Sequence, residues 1–167
     1  EFKAALRQLG VKEKNIILLS DIDKDSKNRF ELMKKIILEF ENNLKNVTHI
    51  SHHYEYDDHP MHIKNGQVLK NLKDEGKVKD VLYFMKPQYV KFIPEKNRVI
   101  YQVNDMSEYN KVKKACYEYK IVDIENGRHG VGYISAHSYF DNLLKSPNLE
   151  SILSDKANML AGLLSTT

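Results

Sequence analysis

The chain has little of several residue types, and each shortage excludes a class of protein. A single cysteine among 167 residues excludes both a disulfide framework and a zinc module built from several cysteines. Seven glycines and four prolines are too few for a collagen-like or low-complexity chain. No hydrophobic run approaches the roughly 18 residues of a membrane span. The single cysteine favours a reducing, intracellular compartment.

The length and the two ends of the chain predict one domain taken from a longer protein. A chain of 167 residues has the usual size of one domain and can bury a core without crosslinks. It begins with Glu1 and Phe2 rather than methionine, and it ends in three small polar residues. We therefore expect residues 1–167 to be a single domain of a larger polypeptide, with Glu1 and Phe2 contributed by cloning.

The net charge is mildly basic and comes mainly from lysine. The chain has 26 basic and 23 acidic residues, and only four of the basic residues are arginines. Lysine is a point charge that suits contacts with phosphate but reads base edges poorly. This composition fits a phosphate-bearing partner, and it equally fits an ordinary lysine-rich solvated surface.

Hydrophobic periodicity predicts a mixture of helices and strands in one fold. Residues 15–20 are a continuous apolar run that indicates a buried strand, and a long helix capped by Asp25 or Ser26 should follow it to Leu44. Further strands are predicted at 47–51, 78–84 and 119–124. One hairpin should join 89–93 to 98–103, and a second should turn at Asn126–Gly127 with 131–135 as its second strand. Further helices are predicted at 66–75, from Asp105 or Ser107 onward, at 138–145 and at 147–164. The predicted class is α+β, a mixed and partly antiparallel sheet covered by helices with an α/β-like first half.

Aspartates at alternate positions follow the apolar run, at Asp21, Asp23 and Asp25. In an extended backbone Asp21 and Asp23 would point to one side and hold Mg²⁺ or Mn²⁺. Strand ends that lead into helices are where open sheets bind ligands. Lys24 and Lys64 are expected to contact substrate phosphate. The alternative is a helix N-terminus, where aspartates cap free amides and offset the helix dipole.

Histidines cluster in one segment: five of the seven lie between positions 49 and 62, together with Asp57 and Asp58. Imidazole and carboxylate groups together suit Zn²⁺, Mn²⁺ or Fe²⁺. We expect His53 to be catalytic, and His59 and His62 to bind a metal from a turn, since Pro60 disfavours a helix through this segment. The alternative is a polar loop that carries its histidines at the surface.

Two sets of residues resemble motifs of known families. Asp21-Ile-Asp23, Ser51-His-His53 and Asp80 occur in the order that resembles the core of the archaeo-eukaryotic primase superfamily. The run Ile17–Ile22 and the helix predicted after it resemble the first motif of calcineurin-like metallophosphoesterases. Both resemblances imply a divalent metal and phosphate-bearing substrates, and neither identifies a family for this chain.

The leading functional hypothesis is a divalent-metal-dependent enzyme acting on nucleotides or nucleic acid, by nucleotidyl transfer or phosphodiester hydrolysis. Asp21, Asp23 and His53 would form its catalytic centre with Mg²⁺ or Mn²⁺, and Zn²⁺ is a further possibility at the histidine-rich segment. One alternative is a non-catalytic nucleic-acid-binding or protein-interaction module of a larger protein. Another is a metalloenzyme whose histidines serve the hydrolysis of a substrate other than phosphate.

Overall fold

A mixed sheet accompanied by helices confirms the predicted α+β class. The computed structural model describes residues 1–24, 28–145 and 150–154. Its elements, numbered along the chain, are α1 (Phe2–Gln8), α2 (Leu19–Ile22), α3 (Arg29–Asn43), β1 (Thr48–His52), α4 (Pro60–Asp74), β2 (Asp80–Phe84), β3 (Arg98–Gln102), α5 (Met106–Glu118), β4 (Val122–Asp123), β5 (Arg128–His129), α6 (Val131–Lys145) and β6 (Glu150–Ser154).

The described residues group into two compact units. The first is formed within 1–18 and 102–150, and the second within 19–101 together with the described residues from 151 onward. The prediction of one domain within a longer protein stays a prediction.

The second unit contains the four-stranded sheet, in the order β1-β2-β6-β3. β1 and β2 are parallel, and α4 connects them and packs against both. β6 is antiparallel to β2. Because parallel neighbours need a crossover connection, the strand–helix–strand unit β1–α4–β2 brings the ends of β1 and β2 to one edge of the sheet. Its core consists of Leu69 and Leu72 from α4 with Val78, Val81 and Tyr83.

Gly66 lets α4 lie directly on the chain that leaves β1. A Cβ atom at this position would lie 2.4 Å from the carbonyl oxygen of His52 and 2.6 Å from the backbone nitrogen of Tyr54. Both neighbours are backbone atoms, so the clash cannot be relieved by a side-chain rotation. The glycine therefore fixes how closely the helix approaches the segment that carries the histidines.

We expect Gly66→Ala to lower the free energy of unfolding by about 2 to 3 kcal/mol, the upper part of the range for overpacking. Alanine has the higher helix propensity, by about 1 kcal/mol, but the backbone clash should outweigh it. Urea unfolding measures the change, and Gln67→Ala, at an exposed position of the same helix, is the matched control. Equal stability of the Gly66→Ala and control variants would contradict this close packing.

The first unit confirms two of the turn and cap predictions. Asp105 caps α5, because its carboxylate accepts a hydrogen bond from the backbone N–H of Glu108 at 2.8 Å. β4 and β5 pair antiparallel around a left-handed Gly127, whose φ is +68°. The second strand of this hairpin is β5, and residues 131–135 belong to α6 instead, so that strand prediction was wrong.

Other predictions of regular structure were also wrong. Residues 15–20 end a short 3₁₀ helix and enter α2, and no strand forms over this run. Residues 89–93 lie mostly in a 3₁₀ helix, Pro87–Phe92, so they do not pair with β3. An apolar run or an alternating pattern becomes a strand only where a neighbouring strand can pair with it. The predicted caps Asp25 and Ser26 lie outside the described residues, and Asn28 caps α3.

The predicted final helix, residues 147–164, is contradicted where the structure describes it. Residues 150–154 form β6, which puts Ile152 and Leu153 in a strand. Residues 146–149 and 155–164 lie outside the described residues. The predicted strands at 47–51 and 78–84 and the helices at 66–75 and 138–145 are confirmed as β1, β2, α4 and part of α6.

Candidate functional site

The polar side chains of the second unit concentrate at the edge where β1 and β2 end. β1 ends at His52, and the histidine-rich segment continues from there through a loop into the first turn of α4, which begins at Pro60. Lys86 lies two residues beyond the end of β2. Because β1 and β2 are parallel, these segments leave the same edge of the sheet, which is where open α/β sheets bind ligands.

Asp57 is the buried acid at the centre of this edge, and its side chain is 1% exposed. Its Oδ1 accepts a hydrogen bond from the backbone N–H of His59 at 2.9 Å and lies 3.0 Å from Nζ of Lys86. Burial alone would raise the pKa of Asp57, but the hydrogen bonds from His59 and Lys86 lower it to about 2. Asp57 is therefore a carboxylate at neutral pH and can only accept hydrogen bonds.

Lys86 contacts two carboxylates, because it also donates a hydrogen bond to Oδ1 of Asp58. Burial lowers its pKa, but the hydrogen bonds to Asp58 and Asp57 outweigh this effect and raise it above its ordinary value. Nε2 of Gln88 lies 3.4 Å from the other oxygen of Asp58. The ammonium group of Lys86, which lies just beyond the end of β2, thus contacts both aspartates of the loop that follows β1. Lys86 therefore already has charged partners within the protein.

His62 is oriented by Asp57, since its Nδ1 lies 3.1 Å from Oδ1 of the carboxylate. The carboxylate cannot donate, so the proton of this hydrogen bond belongs to Nδ1 of His62. In the neutral ring the other nitrogen, Nε2, is then unprotonated and carries a lone pair. Among the described residues no side chain or backbone group hydrogen-bonds to it, and the side chain of His62 is 33% exposed.

Two further imidazoles surround the ring of His62. The ring of His52 stacks on it with centroids 3.8 Å apart and planes within 9°, and the ring of His59 lies 4.6 Å away. Burial, and then the neighbouring His62, lower the pKa of His52. His59 caps α4: its Nδ1 accepts a hydrogen bond from the N–H of Met61, so its neutral ring carries the proton on Nε2.

His53, predicted to be catalytic, lies inside the core rather than at the site edge. Its side chain is fully buried, and its Nδ1 accepts hydrogen bonds from the backbone N–H groups of Glu55 and Tyr56. Burial lowers the pKa of His53 to about 4, so the ring is neutral. These contacts shape the turn that leads from β1 to Asp57, and a catalytic role for His53 stays a prediction without support from its surroundings.

Asp21 and Asp23 do not share one side of an extended backbone. Asp21 lies in α2, and the N–H of Asp23 donates to the carbonyl of Leu19, as in a helical turn. Side chains two positions apart in a helix point about 200° apart, so the geometry that predicted a shared metal ion is absent. Their assignment as metal ligands stays a prediction, and the premise on which it rested was wrong.

The two lysines predicted to bind phosphate lie at exposed positions. Lys24 follows α2, and Lys64 lies in α4 with its ammonium group 6.0 Å from the centroid of the Phe30 ring. That contact joins Lys64 to α3 rather than to the acids of the site edge. The phosphate role of both lysines therefore stays a prediction.

Among residues 1–24, 28–145 and 150–154, no group of three or more histidine, cysteine, aspartate or glutamate side chains is arranged to hold a metal ion. Of the two predicted histidine ligands, only His62 presents an unprotonated Nε2. His59 holds its proton on that atom, and Asp57 is already engaged by Lys86. The side chains as they stand therefore do not form a ligand set for Zn²⁺, Mg²⁺ or Mn²⁺.

A cavity of about 600 Å³ lies away from this edge, where α3 ends and β1 and β2 begin. Its carboxylates have partners within the protein: Glu41 contacts His49 and the N–H of Lys79, and Asp80 accepts a hydrogen bond from Thr48. None of the predicted catalytic, metal-binding or phosphate-binding residues lines it.

Two important residues of the edge, Asp57 and Lys86, were not predicted as site residues. Lys86 carries no motif, and only the parallel pairing of β1 with β2 brings it to Asp57. A signal for the start of α4 was present, because proline is favoured at the first position of a helix and His59 and His62 are then one helical turn apart. The interpretation that Pro60 disfavours a helix through this segment was wrong.

Within the described part of the chain, no helix is long and apolar enough to cross a membrane. No protein-family model, curated protein or solved structure matches the chain.

Proposed function

We propose that this chain is a hydrolytic enzyme whose proton-transfer group is His62, held in position by Asp57. The observation that carries the proposal is the 3.1 Å contact between Nδ1 of His62 and the buried Asp57 carboxylate. A buried carboxylate behind an imidazole fixes its tautomer and stabilises the imidazolium that forms when the ring accepts a proton. Enzymes that need a general base at neutral pH use this arrangement.

The geometry supports one sequence of proton transfers. Nε2 of His62 accepts a proton from a water molecule as the water oxygen bonds to the electrophilic centre of the substrate. The bond between that centre and the leaving group then breaks as the imidazolium donates the proton to the leaving group, which restores the neutral ring. Asp57 keeps its negative charge throughout, because its pKa of about 2 is far below that of an imidazolium.

The predicted dependence on a divalent metal is an alternative to this metal-free proton transfer, because both would use Nε2 of His62. Imidazole ligands favour Zn²⁺ over Mg²⁺ or Mn²⁺, and a carboxylate behind a metal-binding histidine is the usual outer partner. Bound Zn²⁺ would supply Lewis-acid activation of the substrate or the nucleophile. Of the two histidines predicted to bind metal, only His62 presents an unprotonated nitrogen, Nε2, and a Zn²⁺ ion bound there would occupy the lone pair that the proton transfer uses.

Calorimetric titration of the metal-stripped protein tests this point. We expect Asp21→Ala/Asp23→Ala to bind Zn²⁺, Mg²⁺ and Mn²⁺ within about twofold of the wild type, because the two aspartates do not face one ion. We expect His62→Ala to lower any Zn²⁺ affinity by at least about tenfold. His129→Ala, at an exposed position in β5, is the matched control. Mg²⁺ or Mn²⁺ binding that is lost in the double variant would restore the aspartate site.

Nucleotides or nucleic acid remain the proposed substrate class, supported by the surplus of lysine. The alternative, a non-catalytic module, gains support from two exposed apolar residues on one face of the sheet and then points to a protein partner. Ile50 is 59% and Phe84 is 37% exposed, and both lie on the face opposite Val81 and Tyr83. A chain that shows no turnover in any hydrolase assay but captures a protein partner through this face would favour the alternative.

A further inference from the structure

Three aromatic rings form a small surface beside the candidate site, which we call the aromatic shelf: Tyr56, Tyr89 and Phe92. The rings of Tyr56 and Phe92 are stacked, with centroids 5.2 Å apart and planes within 19°. Tyr89 lies against Phe92 at 6.4 Å. On its inner side Tyr56 stacks on the buried ring of His53 at 4.9 Å. The shelf is therefore the outer end of a column of rings whose inner end is fixed in the core.

The outer ring of this column is half-exposed to solvent and has a cation over it. Phe92 is 51% exposed, and Nζ of Lys91 lies 5.2 Å from the centroid of its ring. A planar ring that stacks on this phenylalanine would remove apolar surface from water. Because the Lys91 ammonium group lies over this ring, a stacking ligand must displace it, and the flexible side chain can then pair with a negative group on the same ligand.

The aromatic shelf and the candidate site are built from the same two segments of chain. Tyr56 immediately precedes Asp57, the residue that orients His62. Tyr89 and Phe92 belong to the 3₁₀ helix that follows Lys86, the residue that contacts Asp57. A ligand stacked on the shelf would thus lie beside the edge that carries the proton-transfer pair.

We infer that the aromatic shelf binds the base of a mononucleotide, with Lys91 pairing with its phosphate. This inference rests on the proposed function and names the substrate class of the same site. A planar heterocycle extends the column formed by His53, Tyr56 and Phe92, and its phosphate complements the charge of Lys91. Stacking of bases on exposed aromatic side chains is tolerant of sequence and needs no base-edge readout, which suits a chain poor in arginine.

Binding of adenosine monophosphate and uridine monophosphate, measured by calorimetry without turnover, tests the inference. We expect both to bind, and ribose phosphate, which lacks a base, to bind at least about tenfold more weakly. Phe92→Leu keeps an apolar side chain but removes the ring, and it should weaken nucleotide binding by about tenfold. Phe92→Tyr should bind as the wild type does. Phe2→Ala is the matched control, since Phe2 is also 51% exposed and lies in the first unit.

Equal affinity of the wild type and Phe92→Leu for both nucleotides, or equal affinity for nucleotide and ribose phosphate, would overturn the inference. Circular dichroism of each variant separates loss of binding from loss of fold. The outcome is distinguishable from failure of the proposed function. Nucleotide binding that depends on Phe92, with no turnover that depends on His62, would support the aromatic shelf and contradict the proposed enzyme. Turnover that depends on His62, without nucleotide binding, would support the proposed enzyme and contradict the aromatic shelf.

Discussion

His62→Ala is expected to lower the turnover number by about 10² to 10⁴-fold, the range over which a positioned general base contributes. The alanine leaves the proton of the attacking water without an acceptor at the edge of β1 and β2. The fold should persist, because the ring of His62 is partly exposed and packs mainly on His52 and His59. The measurement is the rate of hydrolysis of a panel of nucleotide esters, phosphodiesters, carboxylic esters and amides.

The Asp57→Asn variant tests the orientation of the His62 ring while the ring itself is still present. The asparagine keeps the size of the side chain, but its amide can donate to Nδ1 of His62 and so favour the tautomer with the proton on Nε2. Turnover should therefore fall strongly although His62 is present. His129→Ala, exposed in β5, should keep the wild-type rate. Full activity in both His62→Ala and Asp57→Asn would contradict the proposed function.

The free energy of unfolding is expected to fall by about 3 kcal/mol between pH 6.5 and pH 4, because of His53. The pKa of His53 is about 4 in the folded protein, against an ordinary value of 6.5 in an unfolded chain, and burial is the main cause. Between these values the unfolded chain binds the proton and the folded one does not. The contribution of neutral His53 to stability is thus fully present above pH 6.5 and is lost as the pH falls towards 4.

Urea unfolding at a series of pH values measures this loss, and His53→Asn is the variant that should reduce it. The Oδ1 atom of asparagine can accept the N–H groups of Glu55 and Tyr56 in place of Nδ1, but it does not titrate. Titration of Asp57 does not contribute to the loss of stability in this pH range. Its pKa is about 2, so its contribution is present above about pH 4 and is lost as the pH falls through 2, below the window of His53. A pH profile of His53→Asn as steep as that of the wild type would refute this account.

The site was predictable as a segment but not as a set of residues. Five histidines and two aspartates within a short stretch made it a candidate site, with a polar surface loop as the alternative, and that stretch lies at the candidate edge. Which nitrogen of each ring carries a proton depends on which group within five residues it contacts, and the residue types alone do not reveal that contact. His53 and His62 are the same residue type in the same segment, yet one lies in the core with a pKa of about 4 and the other is partly exposed.

The aspartate prediction failed for a related reason. The apolar run before Asp21-Ile-Asp23 indicates the end of a strand, and strand geometry would bring the two carboxylates together. The run has no pairing strand among the described residues, Ile17 is half-exposed, and the chain forms the helical turn α2. An apolar run has no fixed geometry of its own, so any side-chain pairing inferred from it depends on a neighbour that periodicity does not reveal.

The sequence by itself determined the α+β class, the strands β1 and β2, the part of α4 from residue 66 onward, a helix start at Asp105 or Ser107 and the turn at Asn126–Gly127. These depend on periodicity, capping and turn chemistry, which act over a few residues. Only the tertiary structure decided that Lys86 meets Asp57. That contact arises because β1 and β2 pair in parallel through α4, and pairing between distant strands is set by burial of the whole core rather than by any local pattern.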